Sequence, residues 1–479
     1  MSDTSPLLYW IRRDFRLGDH PGISAAAQSG RPVIPVFILD PETEAQGAAS
    51  KWRLNLAIAK FRESLREIGS DLVLRRGTAL SVLRSLVGQT NAGAVHWTRL
   101  YDPAAIARDK VVKSSLREDG VDAESHPGHV MFEPWSVRTK SGDGFYKVYS
   151  PFWRAVEPRD VPPCLPPVQR LVPPQHWPIC DTLEDWDLGA EMGRGGDIVA
   201  RFARVGEDAA RARLKHFVDG PIVDYSDMRD RLDRDGTSAL SQNFTYGELS
   251  VREAYHAAIE SVHAASAGAL NFRKELVWRE FAWHLIYHTP HIVDNAWRQE
   301  WNDFPWRGDN PDAERWRRGM TGEPVVDAAM RQLYVTGTMH NRARMIVASY
   351  LTKHLMTDWR VGMNWFADCL IDWDPASNAL GWQWSAGCGP DATPYFRVFN
   401  PATQAEKFDP DGTYRKRYLL GLDGSDHEDA KAYFDVIPKS WGLAPGTLAS
   451  APVITLKEGR ERALSAYGEF KARDGVLST

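Results

Sequence analysis

Little in this 479-residue chain suits a disulfide-built or membrane-crossing protein. Its four cysteines, Cys164, Cys180, Cys369 and Cys388, include no Cys-x-x-Cys pair. They are too few for a disulfide framework, and their spacing suits unrelated reduced thiols better than a four-cysteine iron–sulfur site. No run approaches the roughly 18 to 20 apolar residues that a membrane helix needs. Residues 1–15 meet Arg12, Arg13 and Asp14 before an apolar core of signal-peptide length develops, so a soluble, cytoplasmic protein without a membrane partner is expected. Gly-x-Gly-x-x-Gly and P-loop signatures are missing, which disfavours a dinucleotide or triphosphate held in the usual phosphate loop. An excess of one charge is missing too: 58 Lys plus Arg against 63 Asp plus Glu leaves −5. That balance neither announces nor excludes a nucleic-acid partner.

What the chain has is an ordinary globular mixture, 43% hydrophobic and 25% charged, and enough length for about three domains. It also has 19 tryptophans, against 15 Tyr and 18 Phe. Indole rings stack on bases and on flavins, so the surplus asks for a use beyond packing. Residues 1–130 alternate short apolar runs, Leu7–Ile11, Val33–Leu39, Asp71–Leu74 and Ala94–Trp97, with helical patterns such as Trp52, Leu54, Leu56, Ala59, Phe61, Leu65. This alternation predicts an α/β domain with a Rossmann-like parallel sheet. Residues 131–200 hold Pro158, Pro162, Pro163, Pro166, Pro167, Pro173, Pro174 and Pro178, which predicts a long ordered linker. From Asp197 the strand signals vanish. Val205–Val218, Gly247–Val262, Asn271–Tyr287, Pro324–Tyr334 and Met339–Leu355 read as helices, giving an all-α domain over 201–479.

The segment Tyr9-Trp10-Ile11-Arg12-Arg13-Asp14-Phe15-Arg16-Leu17-Gly18-Asp19-His20 resembles the opening strand and turn of the photolyase/cryptochrome flavoproteins. Glu275-Leu276-Val277-Trp278-Arg279-Glu280-Phe281 resembles their substrate-facing helix. Gly322–Leu333, Met339–Met345, Gly381–Trp384 and Pro394–Phe408 match further blocks in the same order. The resemblance spans nearly the whole chain. It implies FAD bound in a U-shape in the helical domain, an antenna dye in the 1–130 domain, and UV-damaged DNA as partner. It also implies a monomer in a bacterial cytosol or nucleoid.

By the same resemblance, Thr237, Ser238, Ala239, Leu240 and Ser241 correspond to the loop that holds the flavin diphosphate. The family usually has a basic residue where this chain has Ala239, and a Ser/Thr stretch before a helix is also what a simple cap looks like. Tyr225 corresponds to a tyrosine closing the pocket, and Asp372, Asp374 and Asn378 to residues facing the flavin ring. An Arg344–Asp372 pair is expected beside the ring, since buried charges need partners. Asn378 matches the position against flavin N5, where photolyases carry Asn and plant cryptochromes Asp.

Lesion choice is read from Asn341-Arg342-Ala343-Arg344-Met345. Relatives acting on (6-4) photoproducts place His at the positions matching Asn341 and Met345, because their reaction needs an acid. Opening a cyclobutane ring by electron injection needs none. Trp278 and Trp384 would sandwich the flipped dimer, and Glu275 would hydrogen-bond a thymine edge. Trp382, Trp359 and Trp306 match the chain that photoreduces FAD, with Trp316 and Trp373 as nearby spares. Arg342, Arg344, Lys353 and Arg360, against the single acid Asp358, suggest phosphate contacts. Some relatives hold a folate antenna with a Glu and a Cys-Lys pair; Ala105, Ile292 and Val293 stand at those places. Methenyltetrahydrofolate is the favoured antenna, a deazaflavin the alternative, and the difference hints at the class III group of bacterial photolyases. The expected function is light-driven repair of cyclobutane pyrimidine dimers by a deoxyribodipyrimidine photo-lyase. The alternatives are a cryptochrome-like receptor, disfavoured by Asn378, Met345 and the lack of a long C-terminal tail, and a Trp-rich binding protein with no cofactor.

Overall fold

The computed structural model describes residues 4–142, 144–392, 394–395, 397–447 and 451–474; Phe396, inside the Pro394–Phe408 block, lies outside them. Five strands form one parallel sheet in the order β3-β2-β1-β4-β5: β1 Leu7–Ile11, β2 Val33–Leu39, β3 Val73–Arg76, β4 Ala94–Thr98 and β5 Asp122–His126. β1, β2 and β4 are buried along their whole length, as strands covered on both faces must be. Leu7, Tyr9 and Ile11 pack on one face with Phe37 and Phe61, while Leu8 and Trp10 pack on the other with Leu83 and Val95. The helices Pro21–Gln28, Ala48–Glu67, Ala79–Thr90 and Pro103–Glu118 connect consecutive strands. The order reverses between β1 and β4, so the carboxyl ends of these two strands flank the crevice where such sheets take ligands.

The expected strand Asp71–Leu74 lies two residues later, because Asp71 is held aside by Arg62 at 2.7 Å and pairing with β2 begins at Val73. β5 escaped the hydropathy pattern. Its sequence Asp-Ala-Glu-Ser-His has one apolar residue, which an edge strand tolerates. Beyond β5, the stretch from Glu157 to Leu183 runs without helix or named strand, as its prolines require, but Tyr149–Val156 is helical. Among the described residues, every named strand lies before residue 127. No helix of the described residues is long and apolar enough to cross a membrane.

The chain divides into two compact units that interleave. Unit 1 holds Met1–Glu191, Arg204–Ser226 and Thr237–Pro290; unit 2 holds Met192–Ala203, Asp227–Gly236 and His291–Thr479. Unit 1 contains the sheet and the helices Glu207–Asp219, Val251–Glu260 and Ala267–His288, whose core includes Phe217, Tyr225, Phe272 and Leu276. Unit 2 is helical and packs around Trp316, Met330, Ile346, Tyr350, Trp359 and Trp382. Helix ends follow local chemistry. Ser250 and Ser266 cap two of the unit 1 helices with their hydroxyls, which moves the expected start at Gly247 to Val251. The stretch Met339–Leu355 is not one α-helix: His340 caps a helix Asn341–Ser349, which passes into a π-helical turn at Tyr350–His354.

Candidate active site

In unit 1, the Glu275–Phe281 motif lies on the Ala267–His288 helix, with Leu276, Val277, Glu280 and Phe281 buried. Glu275, Trp278 and Arg279 are half-buried on the same helix. Tyr149 stacks on the Trp278 ring at 3.7 Å with the planes 6° apart, and its hydroxyl donates to the Lys274 carbonyl at 2.6 Å. One indole face is therefore fixed by the protein, and the ring stays partly exposed. Tyr149 was not visible as a site residue, because it falls in the stretch whose prolines announce only a linker. Glu280 accepts from the amides of Met131 and Phe132 at 2.7 and 3.0 Å, with Arg279 at 3.5 Å, and its Oε1 has no hydrogen-bond partner. Burial pushes its carboxyl up to about 7.

The Thr237–Ser241 loop also belongs to unit 1. Ala239 takes a left-handed backbone conformation, φ 51°, and Leu240 is fully buried. Thr237 and Ser238 are half-buried, while Ser241 is exposed at the start of the short helix Ser241–Thr245. Arg213, from the Glu207–Asp219 helix, donates to the carbonyls of Ser238 at 2.8 Å and Thr237 at 2.6 Å. Arg204 reaches the Ala239 carbonyl at 3.5 Å. The basic residue missing at 239 in the sequence thus has two cations around the same loop, neither of which any spacing rule singled out. Tyr225 is buried, edge-on to Phe217 and Phe272 at 5.5 and 5.7 Å.

In unit 2, Arg344 grips Asp372 with Nη2 at 2.9 and 2.7 Å from the two carboxylate oxygens, and its Nε donates to the Met339 carbonyl at 2.8 Å. The expected pair is present, with Asp372 buried and the arginine partly exposed. Asp374 caps the Pro375–Ala386 helix by accepting from the Ser377 amide at 2.8 Å. Asn378, one turn on, donates from Nδ2 to the Met363 carbonyl at 3.0 Å, which fixes the amide and leaves its oxygen as an acceptor. Asn341 and Met345 share a helix face, with Asn341 Nδ2 4.0 Å from the Met345 sulfur. His340 beneath them accepts from the Arg342 amide; burial pulls it down to about 4, so it is neutral at pH 7. Trp384 is half-buried.

Trp382 is buried, edge-on to Phe366 at 5.0 Å and to Trp316 at 6.1 Å. Trp359 is fully buried, its indole nitrogen unpartnered, with the Arg360 guanidinium 4.7 Å from its ring centre. Trp306 is half-buried, 4.5 Å from Phe304 and 6.3 Å from Tyr395. Trp382 and Trp306 therefore contact other aromatic rings, Trp316 among them, whereas Trp359 has a guanidinium over its ring. The basic stripe needs correcting. Lys353 is buried, its Nζ bound to the Arg397 carbonyl at 3.0 Å, and burial alone pulls its amine down to about 7. Arg360 is spent on Asp358, the Asp294 carbonyl and Asn302, and Arg342 pairs with Asp230 while lying over Phe408. Among the described residues, no cluster of three metal-ligating side chains includes a cysteine, so the iron–sulfur alternative has no support.

Comparison with known proteins accords with this geometry. Residues 7–170 match the family model described as DNA photolyase, and residues 272–469 the FAD binding domain of DNA photolyase. A deoxyribodipyrimidine photo-lyase from Agrobacterium fabrum is 43% identical over 478 residues, covering 98% of each chain. Cryptochrome-1 of Arabidopsis thaliana is 33% identical over 97% of this chain and 69% of its own. A crystal structure of a bacterial class III photolyase from Agrobacterium tumefaciens superimposes with a TM-score of 0.90 at 42% identity, covering 98% of both chains. With a parallel-sheet domain, a helical FAD-binding domain and full-length similarity to photo-lyases, this chain belongs to the DNA photolyase/cryptochrome family.

Proposed function

We propose that the protein is a deoxyribodipyrimidine photo-lyase that repairs cyclobutane pyrimidine dimers in UV-damaged DNA with light and reduced FAD. The observation that carries this choice of lesion is the Asn341–Met345 face, an amide and a thioether side by side. Neither is a proton donor of the strength that (6-4) repair needs, whereas opening a cyclobutane ring by electron transfer needs no acid. Asn378, an uncharged amide held by Met363, supports repair over a plant-cryptochrome-like receptor, which would carry Asp there.

The donor set fits a flavin dinucleotide. In unit 1, Thr237, Ser238, Ala239, Leu240 and Ser241 would bind phosphate through hydroxyls and amides, with Arg213 and Arg204 fixing the loop from its carbonyl side. Tyr225 would close the same part of the cofactor. In unit 2, Arg344, Asp372, Asp374 and Asn378 would hold the ring. Reduced FAD, when bound, supplies one electron to the dimer on illumination and recovers it after ring opening, with no net redox change. Glu275 would accept a hydrogen bond from a thymine edge. Trp278 and Trp384 would stack on the bases, the first already stiffened by Tyr149. Asn341, Arg342 and Met345 would line the lesion. Trp382, Trp359 and Trp306 would carry oxidising equivalents outward when oxidised FAD is photoreduced.

An antenna dye would occupy the sheet domain. At the carboxyl ends of β1 and β4, Trp10 has guanidinium groups from Arg12 and Arg108 at 4.6 and 4.8 Å, and Asp109 braces Arg12 at 2.7 Å. Ala105 and Ile292 are buried and apolar, so a methenyltetrahydrofolate here would use contacts other than the Glu and Cys-Lys pattern; a deazaflavin is the alternative. The functional domains would be 1–130 for the antenna, 131–200 as linker and 201–479 for FAD and DNA, acting as a monomer. The deciding experiment is repair of UV-irradiated oligo(dT) by chemically reduced protein, scored as thymine absorbance regained under blue light against a dark control. Light-dependent recovery is expected. A yellow, photoreducible protein without recovery would make it a receptor.

A further inference from the structure

The outer edge of the sheet carries a cluster that flavin chemistry does not use. On β5, Glu124 and His126 are two residues apart and so share a face, and His96 on β4 is in register with Glu124. A direct cross-strand neighbour together with its diagonal neighbour brings three side chains to one spot. One ligand atom from each of His96, Glu124 and His126 lies within 4.8 Å of the others. His126 Nε2 and His96 Nδ1 are 3.2 Å apart, and Glu124 oxygens stand 4.0 Å from His96 Nε2 and from His126 Nδ1. Two ligands about 2.0–2.1 Å from a tetrahedral ion are roughly 3.3 Å apart, so an ion would replace the His96–His126 hydrogen bond, with ring rotations bringing one nitrogen of each toward Glu124.

We propose that His96, Glu124 and His126 form a binding site for a divalent transition-metal ion, with zinc the best match. Two imidazoles and a carboxylate are a donor set that zinc takes and that magnesium and calcium do not. Both histidines are nine-tenths buried or more, and His96 Nε2 is buried without a hydrogen-bond partner, with the carboxylates of Asp122 and Glu124 3.7 and 4.0 Å away. Asp122, on the same face and 3.7 Å from His96 Nε2, offers a fourth ligand or a second negative charge. Two cations oppose the ion, Arg31 acting on His96 and Arg99 on His126. The ion would tie edge strand β5 to β4.

The test is equilibrium dialysis of zinc chloride against the full-length, FAD-loaded, tag-free protein after chelator treatment, with excess magnesium present. One zinc per chain is expected, with a rise in melting temperature. Glu124→Gln changes an exposed side chain and should weaken that binding at least about tenfold. His126→Gln should abolish it, with flavin content and photoreduction unchanged. No zinc retained by the wild type would overturn the proposal. So would a bound zinc that both variants keep at full affinity, since the ion would then sit elsewhere.

Discussion

Trp382 owes its place to what residue 362 lacks. A Cβ on Gly362 would come 2.0 Å from Trp382 Cη2, so the indole lies against bare backbone. Trp382→Phe is expected to abolish or sharply slow photoreduction of oxidised FAD while sparing repair by chemically reduced enzyme. Stopped-flow absorbance under illumination reads the first and the oligo(dT) assay the second; undiminished photoreduction would remove Trp382 from the wire. Glu280 makes a prediction of another kind. Its carboxyl lies at about 7 in the fold against about 4.3 in the unfolded chain. Between those values the native state binds more protons, so stability falls as pH rises and the whole penalty is present above the folded value. That penalty is at most about 4 kcal/mol. Glu280→Gln keeps an acceptor for the Met131 and Phe132 amides and cannot ionise. In urea unfolding the variant should match wild type near pH 4 and exceed it at pH 8. A less stable variant at pH 8 would mean that Arg279 stabilises the ionised carboxylate instead.

Among the elements, the Thr237–Ser241 loop depends on a neighbour 24 residues earlier, Arg213, which binds two of its carbonyls. Arg213→Met keeps the stem and removes both hydrogen bonds. FAD retention, read as the flavin-to-protein absorbance ratio after gel filtration, should fall about tenfold or more, as expected for the loss of charge-assisted bonds. An undiminished ratio would show that the loop holds its shape unaided. Elements with strong periodicity were legible in the sequence: β1, β2 and β4, and the helices over Ala267–His288 and Pro324–Thr336 lie where hydropathy puts them. β5 was not, because an edge strand with a polar face leaves no apolar alternation. The π-turn at Tyr350–His354 was not, because it continues the helical period that precedes it. Lys353 was misread for the same reason: a cation in a helical stretch looks solvated until the fold turns its side chain inward.

At the scale of the molecule, the family blocks were legible because they are runs of particular residues, and they gave the Arg344–Asp372 pair and the Asn341–Met345 face in advance. Arg213 and Tyr149 were not, since each acts through a partner distant in sequence. The interleaving of the units was also invisible, because composition changes at the linker while contacts do not respect that change. It predicts the outcome of cutting the chain. Residues 1–200 and 201–479 expressed separately should each show disrupted near-UV circular dichroism, since Arg204–Ser226 and Thr237–Pro290 are packed in the unit that contains the sheet. A native-like spectrum for the first fragment would show that the sheet needs none of them.

The same arrangement constrains how the protein is born. The chain leaves unit 1 after Glu191 and again after Ser226, and finishes it only at Pro290. At about 5–20 residues per second on the ribosome, the last hundred residues of that stretch take roughly 5 to 20 s to synthesise. Through that interval the two faces of the sheet are already covered, and what waits is Arg53, fully buried in the finished fold, whose carboxylate partner Glu248 has not yet left the ribosome.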